Sequence, residues 1–143
     1  MTPDAPFSVS SFRWLNPQNL LVHAAEGVYS SLYSMDAKSG VRHLLYGKAA
    51  ILGNFAYDAK SGHLATAGKT PAHPAEVLAG DLPSQLKRMK PKTSGLEQPV
   101  FKRLTHSNPD LEQVQMGKQE VVDWKGPGGL KIEGILTYPV GYK

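Results

Sequence analysis

The chain contains two passages built on one plan. Phe12-Arg13-Trp14 is followed by Leu20-Leu21-Val22 and Ala24, and Phe55-Ala56-Tyr57 by His63-Leu64-Ala65 and Ala67 at the same spacing. Leu32-Tyr33 with Asp36 then answers Val77-Leu78 with Asp81. The string "RHLLYGKAAILGN" from Arg42 aligns with "KRLTHSNPDLEQV" from Lys102, once the basic stretch between Pro83 and Pro99 is set aside as an insertion in the second copy. A repeat of about 40 to 50 residues signals stacked supersecondary units, none of which can bury its apolar face alone.

Each copy reads as four short strands, and the 11 prolines and 14 glycines spread along the chain suit short strands and turns better than long helices. The first copy predicts strands near Val9–Trp14, Leu20–Ala25, Ser31–Met35 and Val41–Tyr46, divided by "NPQN", "EGVY" and "DAKSG". The second predicts strands near Leu52–Tyr57, His63–Gly68, Ala75–Ala79 and Val100–Leu104. The pentapeptide Asp-Ala-Lys-Ser-Gly occurs at Asp36–Gly40 and again at Asp58–Gly62, in different slots of the two units. A ligand site would keep its slot, so the pentapeptide reads as turn chemistry: Asp opens the turn through its side chain and Gly closes it at positive φ. A calcium loop would need more carboxylates close together.

The expected fold is therefore all-β, with two four-stranded β-propeller blades, about 7–50 and about 51–110, the latter carrying a basic insertion about 84–99. Together they make a partial β-propeller over 1–116. Natural propellers need at least about four blades, so open blade faces call for missing blades or for self-association.

The remaining stretch, 117–143, announces a hairpin. Glu120 to Trp124 alternates, Gly126-Pro127-Gly128-Gly129 turns, and Lys131 to Tyr138 alternates again. A two-stranded hairpin is barely stable alone in water and wants a larger sheet.

A chain of 143 residues with 41% hydrophobic content can bury a core. Its net charge of +4 raises the question of nucleic acid, but the densest basic run, Lys87-Arg88-Met89-Lys90-Pro91-Lys92, has no interleaved aromatics and reads as a solvated loop. No nucleic-acid partner is expected. Having no cysteine, the chain holds no disulfide, thiolate zinc ligand or thiol nucleophile. "MTPDAPFSVSSF" has no basic segment leading into an apolar run, and no apolar stretch is long enough to cross a bilayer as a helix, so no membrane partner is expected and the compartment stays open.

"LKRLTHSNPDLEQV", "EVVDWKGPGGLKIEGILTYPVGY" and "FRWLNPQNLLVHAAE" with "SLYSMDAKSG" together resemble the prolyl oligopeptidase family of serine peptidases, above all its bacterial acylaminoacyl-peptidase and dipeptidyl-aminopeptidase-like members. In that family a blade ending in Leu-Thr with a nearby Asn, here Leu104-Thr105 and Asn108, leads to a Glu-x-Val/Ile-x-Trp strand. A turn and an Ile-x-Gly-x-Leu-x-x-Pro strand follow, here Ile132, Gly134, Leu136 and Pro139. The resemblance implies that the hairpin begins an α/β-hydrolase domain, and that the chain is a fragment whose propeller gates peptide substrates. The family often has Ser-x-Asp-Gly at this turn, and Gly126–Gly129 departs from it.

The nucleophile of such enzymes sits on a Gly-x-Ser-x-Gly elbow, which no serine of this chain matches. No catalytic, cofactor-binding or metal residue is therefore assigned, no cofactor is expected, and the chain alone should be inactive. His23, His43, His63, His73 and His106 are scattered without metal-ligand spacing and read as strand or loop residues, His63 as a hydrogen-bonded structural one. Trp14, Tyr57 and Trp124 read as core packing rather than stacking platforms. Asp58 and Asp81 read as carboxylates bonding turn backbone. Glu26 is the carboxylate to watch, because acidic propeller residues in some relatives grip a substrate's amino terminus, although a solvated turn residue is the plainer reading. The competing function is a non-enzymatic β-repeat module that binds a protein or peptide at open sheet edges.

Overall fold

The structure, a computed structural model, describes residues 7–47, 51–71, 73–82 and 100–142. The basic run Lys87–Lys92 lies outside them. The chain is all-β as expected, and its first eight strands form two four-stranded antiparallel meanders. The first comprises β1 (Ser8–Trp14), β2 (Asn19–Glu26), β3 (Tyr29–Asp36) and β4 (Arg42–Gly47), hydrogen-bonded in sequence order. The second comprises β5 (Ile51–Tyr57), β6 (His63–Thr70), β7 (His73–Asp81) and β8 (Lys102–Arg103), again in sequence order. A hairpin of β9 (Gln119–Lys125) and β10 (Lys131–Thr137) follows, turning through Gly128 and Gly129 at φ of 71° and 80°.

The two pentapeptides form matching turns in their different slots. Asp36 Oδ1 accepts the Lys38 and Ser39 backbone N–H groups at 3.1 and 2.6 Å, and Asp58 accepts those of Lys60 and Ser61 at 2.9 and 3.3 Å. Ser39 and Ser61 add their hydroxyls at 2.7 and 2.6 Å. These bonds hold both aspartate carboxyls below the ordinary range, with the serine hydroxyls the largest cause. Gly40 and Gly62 close the turns at φ of 73° and 88°, where a side chain would be strained.

Strand alternation then selects one face of each sheet for a common core. Leu21, Leu32 and Leu45 from the first sheet meet Leu52, Phe55 and Leu64 from the second, with Leu15 and Leu82 closing the ends. The second sheet's first strand, β5, packs across β1 and β3, so the sheets lie face to face. A bulge interrupts β1 between Val9 and Ser11 and β5 between Leu52 and Phe55, which is the same place in the two repeats. Each buried leucine contributes roughly 1.5–3 kcal/mol by removal from water.

Two expectations about aromatics are corrected. Tyr57 packs against the common core, but Trp14 and Trp124 are about half exposed, at 55% and 49%. Trp14 belongs to β1, an edge strand without a buried residue, and Trp124 belongs to a two-stranded hairpin that no second layer covers among the described residues. β8 is also shorter than the predicted Val100–Leu104, although the Leu104 N–H continues the ladder to the Val77 carbonyl at 2.8 Å.

Candidate functional site

The carboxylate singled out from sequence, Glu26, ends β2 beside the tight turn at Gly27. Alternation puts it with Val22 and Ala24 on the face turned away from the common core, where Tyr33 and Phe7 also lie. Glu26 is half-buried, and its Oε2 accepts the Tyr33 hydroxyl at 2.7 Å and the Ser31 hydroxyl at 3.0 Å. It is thus an anchored carboxylate, not the freely solvated turn residue expected. Burial pushes the Tyr33 phenol up, and its hydrogen bond to Glu26 pushes it further. Phe7 stacks on Tyr33 with ring centroids 5.4 Å apart, and the Arg42 guanidinium lies 5.0 Å over the Phe7 ring. Among the described residues no cation forms an ion pair with Glu26. Chemically, this is a negative charge fixed by neutral donors beside an aromatic wall.

The hairpin meets this end of the first sheet. The Glu133 carboxylate of β10 lies directly against Gly27, where any side chain would collide with it. Beside that contact a cleft of about 540 Å³ opens between the hairpin and both sheets, lined by Val28, Ile51, Lys69, Val121 and Ile135. The hairpin's base is fixed by Glu120, whose Oε1 accepts the Tyr138 hydroxyl at 2.5 Å while Lys118 Nζ stands 3.4 Å from Oε2. The Tyr138 bond foremost, with Lys118, lowers the Glu120 carboxyl, and the same bond to Glu120 raises the Tyr138 phenol.

The other sequence candidates are dispersed. His63 is the hydrogen-bonded structural histidine expected, and its partner is the Asp81 carboxylate across the β6–β7 ladder. That corrects the reading of Asp81, which engages an imidazole instead of turn backbone. His106 Nδ1 lies 2.9 Å from an Arg103 guanidinium nitrogen and 3.4 Å from Glu112, in an exposed network. Among the described residues no group of three potential metal ligands gathers.

Sequence reasoning missed Glu76. It is only 6% exposed, and it accepts the Thr105 hydroxyl, the Ser107 N–H at 2.8 Å and the Ser107 hydroxyl at 3.2 Å. The signal existed: Glu76 shares its alternation with Leu78, which packs on the core. It is a structural clamp and no reacting group, since its oxygens are taken up by the chain's own donors.

No protein-family model matches the chain, and a search of curated proteins returned no match. Among solved structures, the chain is similar to AtxE2 isopeptidase, with a TM-score of 0.64 and 19% sequence identity. It is equally similar to a variant of that enzyme with Astexin3-dC4 bound, at the same TM-score and identity. Each alignment covers 88% of this chain but only 17% of the isopeptidase chain. At that identity the likeness is one of fold, shared with a small part of a much longer chain.

Proposed function

We propose that this chain is the propeller-derived portion of a serine peptidase of the prolyl oligopeptidase family, and that its two sheets are neighbouring blades. In the whole enzyme the blades restrict access to a catalytic domain whose first element is the β9–β10 hairpin. Their share of the mechanism is admission and positioning of peptides rather than bond cleavage. What supports the reading most is the succession of two like meanders and a hairpin, aligned over 88% of the chain with an isopeptidase. Glu26, held by Tyr33 and Ser31, supplies a carboxylate suited to a substrate ammonium group.

The test uses a fluorophosphonate probe, which labels activated serines. The 143-residue chain should stay unlabelled, whereas the polypeptide encoded by a reading frame continuing past Lys143 should label and cleave peptides. In that longer protein Glu26→Gln should raise KM about tenfold or more for peptides with a free amino terminus and leave N-acetylated ones unchanged. A stop codon after Lys143, or a continuing frame without Gly-x-Ser-x-Gly, would instead favour a non-enzymatic module that binds peptides at open sheet edges.

A further inference from the structure

His23 stands in the middle of β2, in the seam where the two sheets face one another. It is 5% exposed, and neither ring nitrogen has a hydrogen-bond partner among the described residues. Its ring meets the edge of Phe55 from β5 at 6.4 Å between centroids. Directly opposite on β1 is Ser11, and Ser34 lies diagonally on β3, opposite Leu21; both hydroxyls are also buried without a partner among the described residues. A neutral imidazole tolerates such a place at modest cost, whereas an imidazolium there has no counter-charge.

The charged and titratable side chains around the seam offer it no relief. β1 contributes Arg13, whose guanidinium lies 6.0 Å from the same Phe55 ring, so a protonated His23 would share that ring with a like charge. β4 contributes His43, opposite Ser34, and Tyr46; β5 contributes Tyr57. The carboxylates with this facing are Asp36 at the end of β3, engaged by Ser39, and Glu76 of β7, engaged by Thr105 and Ser107. β6 presents Leu64 and Thr66, neither of which titrates.

We propose that His23 makes the seam between the two sheets acid-sensitive, so that taking up a proton there separates β5 from β2 and opens the face between the blades. The device is independent of whether the chain serves a peptidase. Burial holds the His23 imidazole below its ordinary value of 6.5, which fixes the sign. Well above pH 6.5 neither the folded nor the unfolded chain protonates this residue, and the seam is intact. Below it the unfolded chain binds a proton that the folded chain refuses, so the folding equilibrium weakens, by up to about tenfold per pH unit, until the folded value is reached.

The 143-residue chain is titrated by NMR from about pH 8 to pH 4.5, following the imidazole Cε1–H signals and amide hydrogen exchange. The His23 signal should titrate below 6.5, and protection factors in β2 and β5, taken against the intrinsic exchange rate at each pH, should fall on acidification while those of the β9–β10 hairpin change little. Urea midpoints measured from pH 7.5 to 5 should fall less steeply in His23→Leu than in the parent chain. Titration of His23 at or above 6.5, or an unchanged slope in H23L, overturns the proposal. Should H23L fail to fold, the titration of the unmodified chain decides by itself.

Discussion

Glu76 on β7 and Thr105 beyond β8 are 29 residues apart in sequence and joined by a hydrogen bond, the Thr105 hydroxyl donating to the buried carboxylate. The same threonine oxygen accepts the Val77 N–H at 2.9 Å. Thr105 therefore fastens the last strand of the second sheet where β8 supplies only two ladder pairs, Leu78 with Arg103 and Ala79 with Lys102. The Leu-Thr signature read from sequence acquires a physical reason: the hydroxyl replaces ladder bonds that the short strand lacks.

That fastener should reveal itself in acid. The Thr105 and Ser107 donors hold the Glu76 carboxyl below its ordinary 4.5, Thr105 being the larger cause. A depressed folded value means the contribution is present above the unfolded value and is lost as pH falls through the folded one. Thr105→Val should therefore melt at a lower temperature than the parent near neutral pH, with the gap closing as pH falls below 4.5 and through the depressed folded value. Thermal unfolding followed by circular dichroism checks this, and a gap independent of pH would remove Glu76 from the explanation.

The pentapeptide turns give a second expectation. Gly62 sits at φ 88°, where a Cβ is disfavoured, so Gly62→Ala should cost about 1–2 kcal/mol in urea unfolding. Ser61→Gly removes the hydroxyl bond to Asp58 but no φ constraint, and should cost less. Equal losses would mean that the side-chain bond, rather than backbone conformation, governs the turn.

The hairpin leads to a third. Val121, Trp124, Ile135 and Leu136 are all more than 40% exposed on a two-stranded ribbon. Apolar surface of that kind drives association by burial, which salt does not screen. The isolated chain should therefore self-associate in light scattering at both low and high salt, and Trp124→Ser combined with Ile135→Ser should shift it toward monomer. A monodisperse monomer of the parent chain would contradict the expectation.

Much of this architecture was written locally. Alternation of apolar residues placed all eight repeat strands within a residue or two, and the two Asp-Ala-Lys-Ser-Gly turns formed as their residue types require. These features depend on residues two to four apart, whose geometry the backbone itself imposes. Other features answer to partners far along the chain. Trp14 and Trp124 have the composition of core residues, yet burial needs a second layer across from them, and the fold supplies none among the described residues. Glu76 and His23 lie on core-facing positions by alternation, but their consequences differ because tertiary packing brings donors to one and an aromatic edge to the other. Sequence determined which way each side chain points; only the packing of sheet on sheet and of strand end on strand end decided what it meets, because those neighbours are set by contacts across the chain.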